Sequence, residues 1–306
     1  MLAALIQDLV DVPDMSLLAL RDSRLARPAN VTLAVEWLGI DPNTPVMTCL
    51  ASAIERVDAV WPIAPETSGI LESICTLVRQ KGKILLNTSA EGVRLAASKL
   101  LTANRLGSMG VPVVPTALWQ PGSARPYYPF PVVIKPDDGV GCEHIRIISS
   151  IGEWEQSAGL EHTGNWVMQP LMDGESLSLC GIFAMGEAVL LSVNHQQIKK
   201  QGNTFVLKGC TVNSIADKAH AFSRLLKQIA TAIPELWGYA GVDLIQNDQG
   251  LHVLEINPRL TSSYAGLRAA LGVNPARLVI DLLASGSLRP WHGCPVRPIE
   301  VMWEPS

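Results

Sequence analysis

Side chains that suit a metal ion and an anion occur at alternate positions near the C-terminal end of the chain, at Glu255, Asn257 and Arg259. Alternate side chains of a β-strand share one face, so these three are predicted to project together. Carboxylate and amide oxygens suit Mg²⁺ (or Mn²⁺), which takes phosphate oxygens and water as its other ligands. The pattern predicts a metal site with Arg259 facing the charge on a transferring phosphoryl group.

A β-hairpin is predicted to bring Asp243 to the same face. A three-residue loop at 248–250, in which glycine supplies the positive φ, pairs Asn247 with Leu251. Counting outward from that loop, Asp243 falls opposite Glu255. A solvated hairpin face with ordinary salt bridges explains the same residues, so other segments have to decide between the two interpretations.

A second segment combines a lysine with glycines. Lys135 follows the apolar residues 131–134 and precedes Gly139 and Gly141. A buried lysine needs an anionic partner, and glycine-rich backbone lets N–H groups approach phosphate oxygens. The segment predicts a phosphate-binding loop, although a tight turn with an outward-pointing lysine fits as well. It is not a Walker A motif, because no G-x-x-x-x-G-K-[ST] occurs in the sequence.

Two further segments carry weaker signals. A strand predicted at 166–170 leads to Leu171, whose backbone would meet a purine edge, and to Glu175, which would accept from ribose hydroxyls; a plain exit from a strand is the alternative. Lys99 lies in a helix predicted over 91–109, where a solvated lysine is the alternative to a phosphate ligand.

Composition restricts the class of protein. With 306 residues, 48% apolar and 17% charged, the chain predicts two or three well-buried lobes. Its apolar stretches fall far short of the ~20 residues of a spanning helix, and the N-terminus lacks a signal-peptide pattern, so we expect a cytoplasmic protein without membrane contact. Six dispersed cysteines predict reduced thiols rather than a zinc site. A net charge of -4 with dispersed basic residues argues against a nucleic-acid partner.

The elements that must position these residues follow from periodicity. Alternating helical and strand-like patterns predict an N-terminal parallel α/β lobe over residues 1–90. Because the chain opens on a helix, we expect the first strand of that lobe to be missing. Strands are predicted at 17–20, 31–33, 59–63 and 83–86, and helices at 2–9 and 69–80.

Two α+β lobes are predicted to follow, over residues 91–168 and 169–306. A Pro-, Gly- and Ser-rich linker is predicted at 120–131, and a helix at about 217–232. The remaining predicted strands lie at 131–134, 145–148, 166–170, 177–184, 188–193 and 204–209, and a hairpin lies at 239–256.

In order, Lys99 and the segments VVIKPDDGVG, VMQPLMDGES and GVDL…LEINPR resemble the successive nucleotide motifs of the ATP-grasp superfamily, over residues 98–270. The resemblance implies an ATP-grasp fold whose lobes clamp ATP. It implies phosphate contacts from Lys99 and Lys135, an adenine contact beside Gln169, a ribose contact from Glu175 and stabilisation of an acyl phosphate by Arg259. It also implies Mg²⁺ ligands at Asp243, Glu255 and Asn257. Gln169 stands where a Glu is frequent, and Cys142 where Ser is common.

Within this superfamily the chain is most similar to the tyramine-glutamate ligases of methanofuran biosynthesis and their bacterial relatives. The similarity rests on residues 194–198 and on the ending EINPRLTSSYAGL. It implies an ADP-forming ligation of a small-molecule carboxylate to an amine, with glutamate and an aryl-alkyl amine as substrates. Residues 261–263 would line the acceptor pocket or cap the next helix. A small-molecule kinase and a non-catalytic ATP-binding module remain alternatives, and a homodimer stays open.

Overall fold

A computed structural model describes residues 1–26, 35–124, 127–159, 163–217, 219–289 and 297–303. The strand predicted at 31–33 and the sixth cysteine, Cys294, lie outside this part. The other five cysteines are free thiols. Among the described helices, none is long and apolar enough to cross a membrane.

The described part of the N-terminal lobe contains two pairs of parallel strands, which confirms its predicted class. Its core is formed by residues such as Ile54, Leu71, Cys75 and Val78. The elements are α1 (Leu2–Val10), β1 (Leu17–Asp22), β2 (Val35–Ile40), α2 (Val46–Glu55), β3 (Ala59–Val60), α3 (Ile70–Gln80) and β4 (Ile84–Leu85), with β1 paired to β2 and β3 to β4.

The helix predicted over 91–109 is wrong as a single element. The structure has α4 (Ala90–Ala97) and α5 (Lys99–Ser108), separated by Ser98 in an extended conformation. The Ser98 hydroxyl accepts a hydrogen bond from the N–H of Leu101 at 3.1 Å and so caps α5. Because Ser98 is extended and caps the N-terminus of α5, α4 ends at Ala97 and Lys99 is the first residue of α5.

The residues that the structure describes in the central lobe form a four-stranded antiparallel sheet in the order β5-β8-β6-β7. Large apolar side chains fill its core, among them Trp119, Ile134 and Trp154. The elements are β5 (Ala117–Trp119), β6 (Val132–Pro136), β7 (Arg146–Ile148), α6 (Ile151–Ser157) and β8 (Trp166–Pro170).

The C-terminal lobe is built on a six-stranded sheet in the order β13-β12-β9-β10-β11-β14, antiparallel throughout. The described part of the lobe contains β9 (Glu175–Ala184), β10 (Glu187–Gln201), β11 (Thr204–Val212), α7 (Ala221–Ala232), β12 (Gly238–Asn247), β13 (Gly250–Asn257), α8 (Tyr264–Leu271), α9 (Pro275–Ser285) and β14 (Ile299–Met302).

Both faces of this sheet are covered. Leu177, Leu179 and Phe183 of β9 belong to the cluster that includes α7 and residues of α4 and α5, whereas Cys180 and Ile182 belong to the cluster with α8 and α9. This division follows from the two-residue period of a strand. Residues of α4 and α5 belong to the core of the C-terminal lobe, although they precede the central lobe in the chain. The domain boundaries at 91 and 168 stay a prediction.

Helix α1 also packs on the C-terminal lobe. The buried carboxylate of Asp8 accepts hydrogen bonds from the Tyr264 hydroxyl at 2.7 Å and from Arg268 at 3.2 Å. Burial raises the pKa of Asp8, while these two donors act against that shift. The contact links α1 of the N-terminal lobe to α8 of the C-terminal lobe.

Candidate active site

The hairpin of β12 and β13 brings Asp243 opposite Glu255, and Gly241 opposite Asn257. The predicted loop, however, is wrong: Asn247 pairs with Gly250, so the loop contains two residues rather than three. A register shift beside Asp243 leaves Leu254 unpaired and adds the missing residue. The predicted pairing of the two carboxylates is therefore confirmed. It arises from a two-residue loop and a bulge rather than from a three-residue loop.

Asp243 is the centre of a polar cluster. Its Oδ2 accepts from Asn257 Nδ2 at 3.3 Å, and its Oδ1 from Gln196 Nε2 at 3.0 Å. Desolvation and the adjacent charge of Glu255 raise the pKa of Asp243 well above its ordinary value. Gln196 of β10 was not predicted as a site residue. Its segment, 194–198, entered only as part of the family resemblance, because β10 meets Asp243 only through the order of strands in the sheet.

Lys99 approaches Glu255 from α5. It is 4% exposed, and its Nζ lies 3.1 Å from Glu255 Oε2 and donates to the carbonyls of Asp137 at 3.2 Å and Gly139 at 2.8 Å. Desolvation raises the pKa of Glu255, but Lys99 and Lys135 more than offset this and lower it. The break at Ser98 makes this approach possible.

Lys135 is the penultimate residue of β6 and lies beside the same group. Its side chain is 5% exposed, and in the described part of the chain it has no carboxylate within ion-pair distance. Burial lowers the pKa of Lys135 to about 8, with Glu255 opposing the shift and Lys99 adding to it. A buried ammonium with no direct counter-ion is suited to an anionic ligand.

The glycine-containing loop has two kinds of backbone amide. The N–H of Gly139 donates to Pro136 at 3.4 Å, so the expectation that it is free for phosphate is wrong. Gly141 and Cys142 both have positive φ, of 65° and 66°, and their N–H groups donate to no group among the described residues. These two amides can therefore take an anion.

Arg259 follows β13 and contacts the N-terminal lobe. Its Nε donates to Glu66 Oε2 at 2.7 Å and its Nη1 to the carbonyl of Leu260 at 3.0 Å. Glu66 was not predicted as a site residue. The available signal was its place shortly after a strand of a parallel lobe, where binding residues commonly lie.

These groups line one cavity of about 250 Å³. Its described lining includes Lys99, Lys135, Gly139, Gly141, Cys142, Ser178, Gln196, Ile198, Leu207, Cys210, Asp243, Glu255, Asn257, Arg259, Thr261, Ser262, Ser263 and Trp303.

The predicted adenine and ribose residues lie elsewhere. Gln169 is buried and donates to the Thr116 hydroxyl at 2.9 Å, and the N–H of Leu171 donates to the carbonyl of Pro131 at 3.0 Å. Glu175 is exposed at the start of β9. None of the three is among the described residues that line the cavity, so their nucleotide contacts stay predictions, and a purine contact at Leu171 would use its carbonyl oxygen.

The donor set of the cavity fits a hard divalent cation. Two carboxylates on paired strands and one amide lie together, and burial together with the adjacent charge of Glu255 makes the charged form of Asp243 unfavourable. A cation shared by Asp243, Glu255 and Asn257 would remove this cost. These residues would hold Mg²⁺, whose other positions phosphate oxygens and water would fill.

Two family models match the chain. The ATP-grasp domain model matches residues 96–263, and the pre ATP-grasp 3 domain model matches residues 15–93. The chain belongs to the ATP-grasp family, whose members use ATP.

Individual relatives extend the comparison. The chain is 29% identical over 216 residues to tyramine–L-glutamate ligase of Methanocaldococcus jannaschii, a match that covers 70% of this chain and 59% of that protein. The chain thus matches less than two thirds of the length of this relative. The L-amino acid ligase of Bacillus licheniformis has the same fold, with a TM-score of 0.73, 15% identity and coverage of 94% of this chain and 74% of that one. Biotin carboxylase of Campylobacter jejuni is also similar in fold, with a TM-score of 0.73, 16% identity and coverage of 95% and 69%.

Proposed function

We propose that this protein uses ATP to activate a small-molecule carboxylate as an acyl phosphate and then joins it to an amine, with release of ADP and phosphate. The observation that supports this most is the convergence of Lys99, Lys135, Arg259 and the paired carboxylates Asp243 and Glu255 on one cavity. ATP, an acyl phosphate and phosphate all present anionic oxygens, which lysine and arginine bind.

The reaction needs no nucleophilic side chain. A carboxylate oxygen of the substrate attacks the γ-phosphorus, and the bond to ADP breaks. The nitrogen of the neutral amine then attacks the acyl carbon, the bond between the acyl carbon and the phosphate oxygen breaks, and the proton that the nitrogen loses leaves with the phosphate. Lys99 and Lys135 hold phosphate oxygens in place, and Arg259 balances charge on the transferred group. Mg²⁺ held by Asp243, Glu255 and Asn257 would supply further positive charge. The free amides of Gly141 and Cys142 complete the contacts while the loop limits access of water.

We also propose an amino-acid carboxylate, glutamate first, and an aryl-alkyl amine as substrates. The relative from M. jannaschii carries the name tyramine–L-glutamate ligase. Ile198 and Leu207 are partners on β10 and β11, and Trp303 follows β14. These strands lie toward the end of the sheet away from β13, so the cavity has an apolar wall removed from its charged groups. An aromatic or aliphatic group fits such a wall.

The experiment that tests the proposed function measures ADP, phosphate and product mass with MgATP, single amino acids and aryl or alkyl amines. A ligase gives ADP, phosphate and amide in equal amounts, and only when both substrates are present. ADP with a phosphorylated acceptor in the absence of amine would establish a kinase instead. Nucleotide binding without any ADP formation would indicate a non-catalytic module.

The apolar wall gives a first prediction. Leu207→Ala should raise KM for an aryl-alkyl amine about tenfold, because the loss of apolar contact costs ~1–3 kcal/mol, and should leave KM for ATP unchanged. Leu118→Ala, at an exposed position of β5, is the matched control. Steady-state kinetics on both variants checks this, and an unchanged KM for the amine in Leu207→Ala would contradict the assignment of the wall.

The thiol in the loop gives a second prediction. Burial and the charges of Glu255 and Asp243 raise the pKa of Cys142 to about 11, so the thiol is neutral near pH 7 and a poor nucleophile. Serine keeps the same backbone geometry. We expect Cys142→Ser to retain turnover within about twofold, as measured by phosphate release, since the loop acts through its amides. Inactivation of this variant would instead show that the sulfur takes part in the chemistry.

A further inference from the structure

Glu66 is a buried carboxylate of the N-terminal lobe that reaches the active site. It lies in the segment between β3 and α3, and the residue is 4% exposed. Its Oε2 accepts from Arg259 Nε at 2.7 Å. The contact joins the N-terminal lobe directly to a residue that lines the nucleotide cavity.

A contribution to the stability of the fold does not by itself explain the ion pair between Glu66 and Arg259. Glu66 Oε1 is buried and has no hydrogen-bond partner within the described residues. Desolvation raises the pKa of Glu66 although Arg259 opposes the shift. A buried ion pair with incomplete hydrogen bonding is commonly no more stable than an apolar pair of similar volume, so such pairs point to a demand for a defined geometry.

The geometry that Glu66 defines is the plane of the Arg259 guanidinium. Nε is held by Glu66 and Nη1 by the carbonyl of Leu260, at 3.0 Å. Within the described part of the chain, Nη2 donates to no acceptor. Two fixed nitrogens set the direction of a planar group, and the remaining N–H groups are then oriented for a ligand.

The same turn also contacts the glycine-containing loop. The Thr67 hydroxyl donates to the carbonyl of Asp138 at 3.2 Å, and the N–H of Ser68 donates to Asp138 Oδ2 at 2.8 Å. Residues 66–68 therefore fix both Arg259 and the start of the loop that carries Gly141. The turn sets the distance between two groups that would meet the same phosphate.

We propose that Glu66 is a positioning residue, which holds Arg259 in the orientation that binds the transferred phosphoryl group. The assignment rests on the function proposed above. Glu66 does not itself touch substrate; its effect passes through Arg259.

The test compares three single variants, Glu66→Gln, Glu66→Asp and Arg259→Gln. A double variant combines Glu66→Gln with Arg259→Gln. Glu66→Gln should lower kcat about tenfold, the loss typical of residues that orient a functional side chain, with KM for ATP within about twofold. Glu66→Asp, which keeps the charge, should recover part of kcat. In the Arg259→Gln background the same change should cost nothing further, because the group that it positions is gone.

An equilibrium measurement accompanies the kinetics. Inorganic phosphate should raise the melting temperature of the MgADP complex of the wild type, because a ligand that binds the folded state stabilises it. The rise should be lost in Arg259→Gln and reduced in Glu66→Gln. Asp8→Asn, which alters another buried carboxylate paired with an arginine, is the matched control and should lower stability without changing kcat or the phosphate response.

Separate outcomes bear on the two proposals. A wild type that turns over no substrate pair refutes the proposed function, and the phosphate measurement still decides on Glu66. The assignment of Glu66 is overturned by a wild-type phosphate response in Glu66→Gln, by a wild type whose MgADP complex does not respond to phosphate, or by additive losses of kcat in the double variant.

Discussion

Glu255→Gln is expected to lower ATP turnover by about 100-fold or more while the protein stays folded and still binds nucleotide. Glu255 lies opposite Asp243, and its Oε2 is 3.1 Å from Lys99 Nζ, so its charge serves both the proposed metal site and a lysine that we propose binds phosphate. Glutamine keeps the size of the side chain but is a weaker metal ligand and cannot neutralise Lys99. Electrostatic groups of this kind commonly contribute two to three orders of magnitude to turnover.

Two effects of this substitution on stability oppose each other. Lys99 loses its anionic partner but keeps the carbonyls of Asp137 and Gly139. Asp243 loses the like charge that contributes to raising its pKa. We therefore expect the free energy of unfolding to change by less than about 2 kcal/mol.

Glu300→Gln is the matched control for Glu255→Gln. Glu300 is a carboxylate of β14 in the same sheet, where it accepts from Gln197 and Thr211 at 2.7 and 2.9 Å. ADP formation and thermal unfolding are measured on both variants. Normal turnover in Glu255→Gln would reject the metal-site assignment and most of the case for an ATP-dependent ligase.

The hairpin of β12 and β13 shows how much of the candidate site local rules can predict. The two-residue strand period and the glycine turn predicted that Asp243 and Glu255 pair, yet the loop is one residue shorter than expected and a bulge restores the pairing. A bulge depends on how the strand fits its neighbours in the sheet, and no local pattern at Leu254 reveals it. Local rules thus led to the correct pair through a wrong loop, and the bulge that produces the observed pairing was not predictable from them.

The helix predicted over 91–109 failed although a local signal for its interruption was present. A local signal was present in Ser98, but an apolar-periodic pattern that continues on both sides of it predicts one helix. The Ser98 hydroxyl also donates to Asp137 Oδ2 at 2.6 Å, and the N–H of Leu100 donates to Asp137 Oδ1 at 2.9 Å. Contacts with the loop of another lobe thus stabilise the break, and tertiary structure overrides propensity.

A third limit concerns side chains that distant parts of the chain bring to the site, because their proximity was not predictable from the sequence. Gln196 and Trp303 line the cavity, and Glu66 contacts Arg259 of that lining, only because of the packing of lobes and the order β9-β10-β11-β14 in the sheet. The class of each lobe followed from periodicity, because alternation of apolar residues reports the local environment of one element. It does not report which elements become neighbours.

Lys135→Met is expected to weaken ATP binding about tenfold to 100-fold without loss of stability. Lys135 is 5% exposed, and its pKa is lowered to about 8, so the folded protein bears a cost for its charge that a bound phosphate would offset. Loss of one charge-assisted contact to phosphate is worth ~1.5–3 kcal/mol, which corresponds to this change in Kd. Methionine fills similar space and carries no charge, so the free protein should be at least as stable as the wild type.

The pH dependence of stability distinguishes this explanation from a loss of packing. The pKa of Lys135 is lowered from 10.5 to about 8, so the cost of its buried charge is fully present below about pH 8 and disappears as the pH rises to about 10.5. The stability advantage of Lys135→Met over the wild type should therefore be largest near pH 7 and shrink across that window. Calorimetric titration with ATP and thermal unfolding between pH 7 and 10 measure both effects. Lys81→Met, at an exposed lysine paired with Glu55, should change neither, and an unaltered Kd for ATP in Lys135→Met would show that Lys135 does not bind the nucleotide.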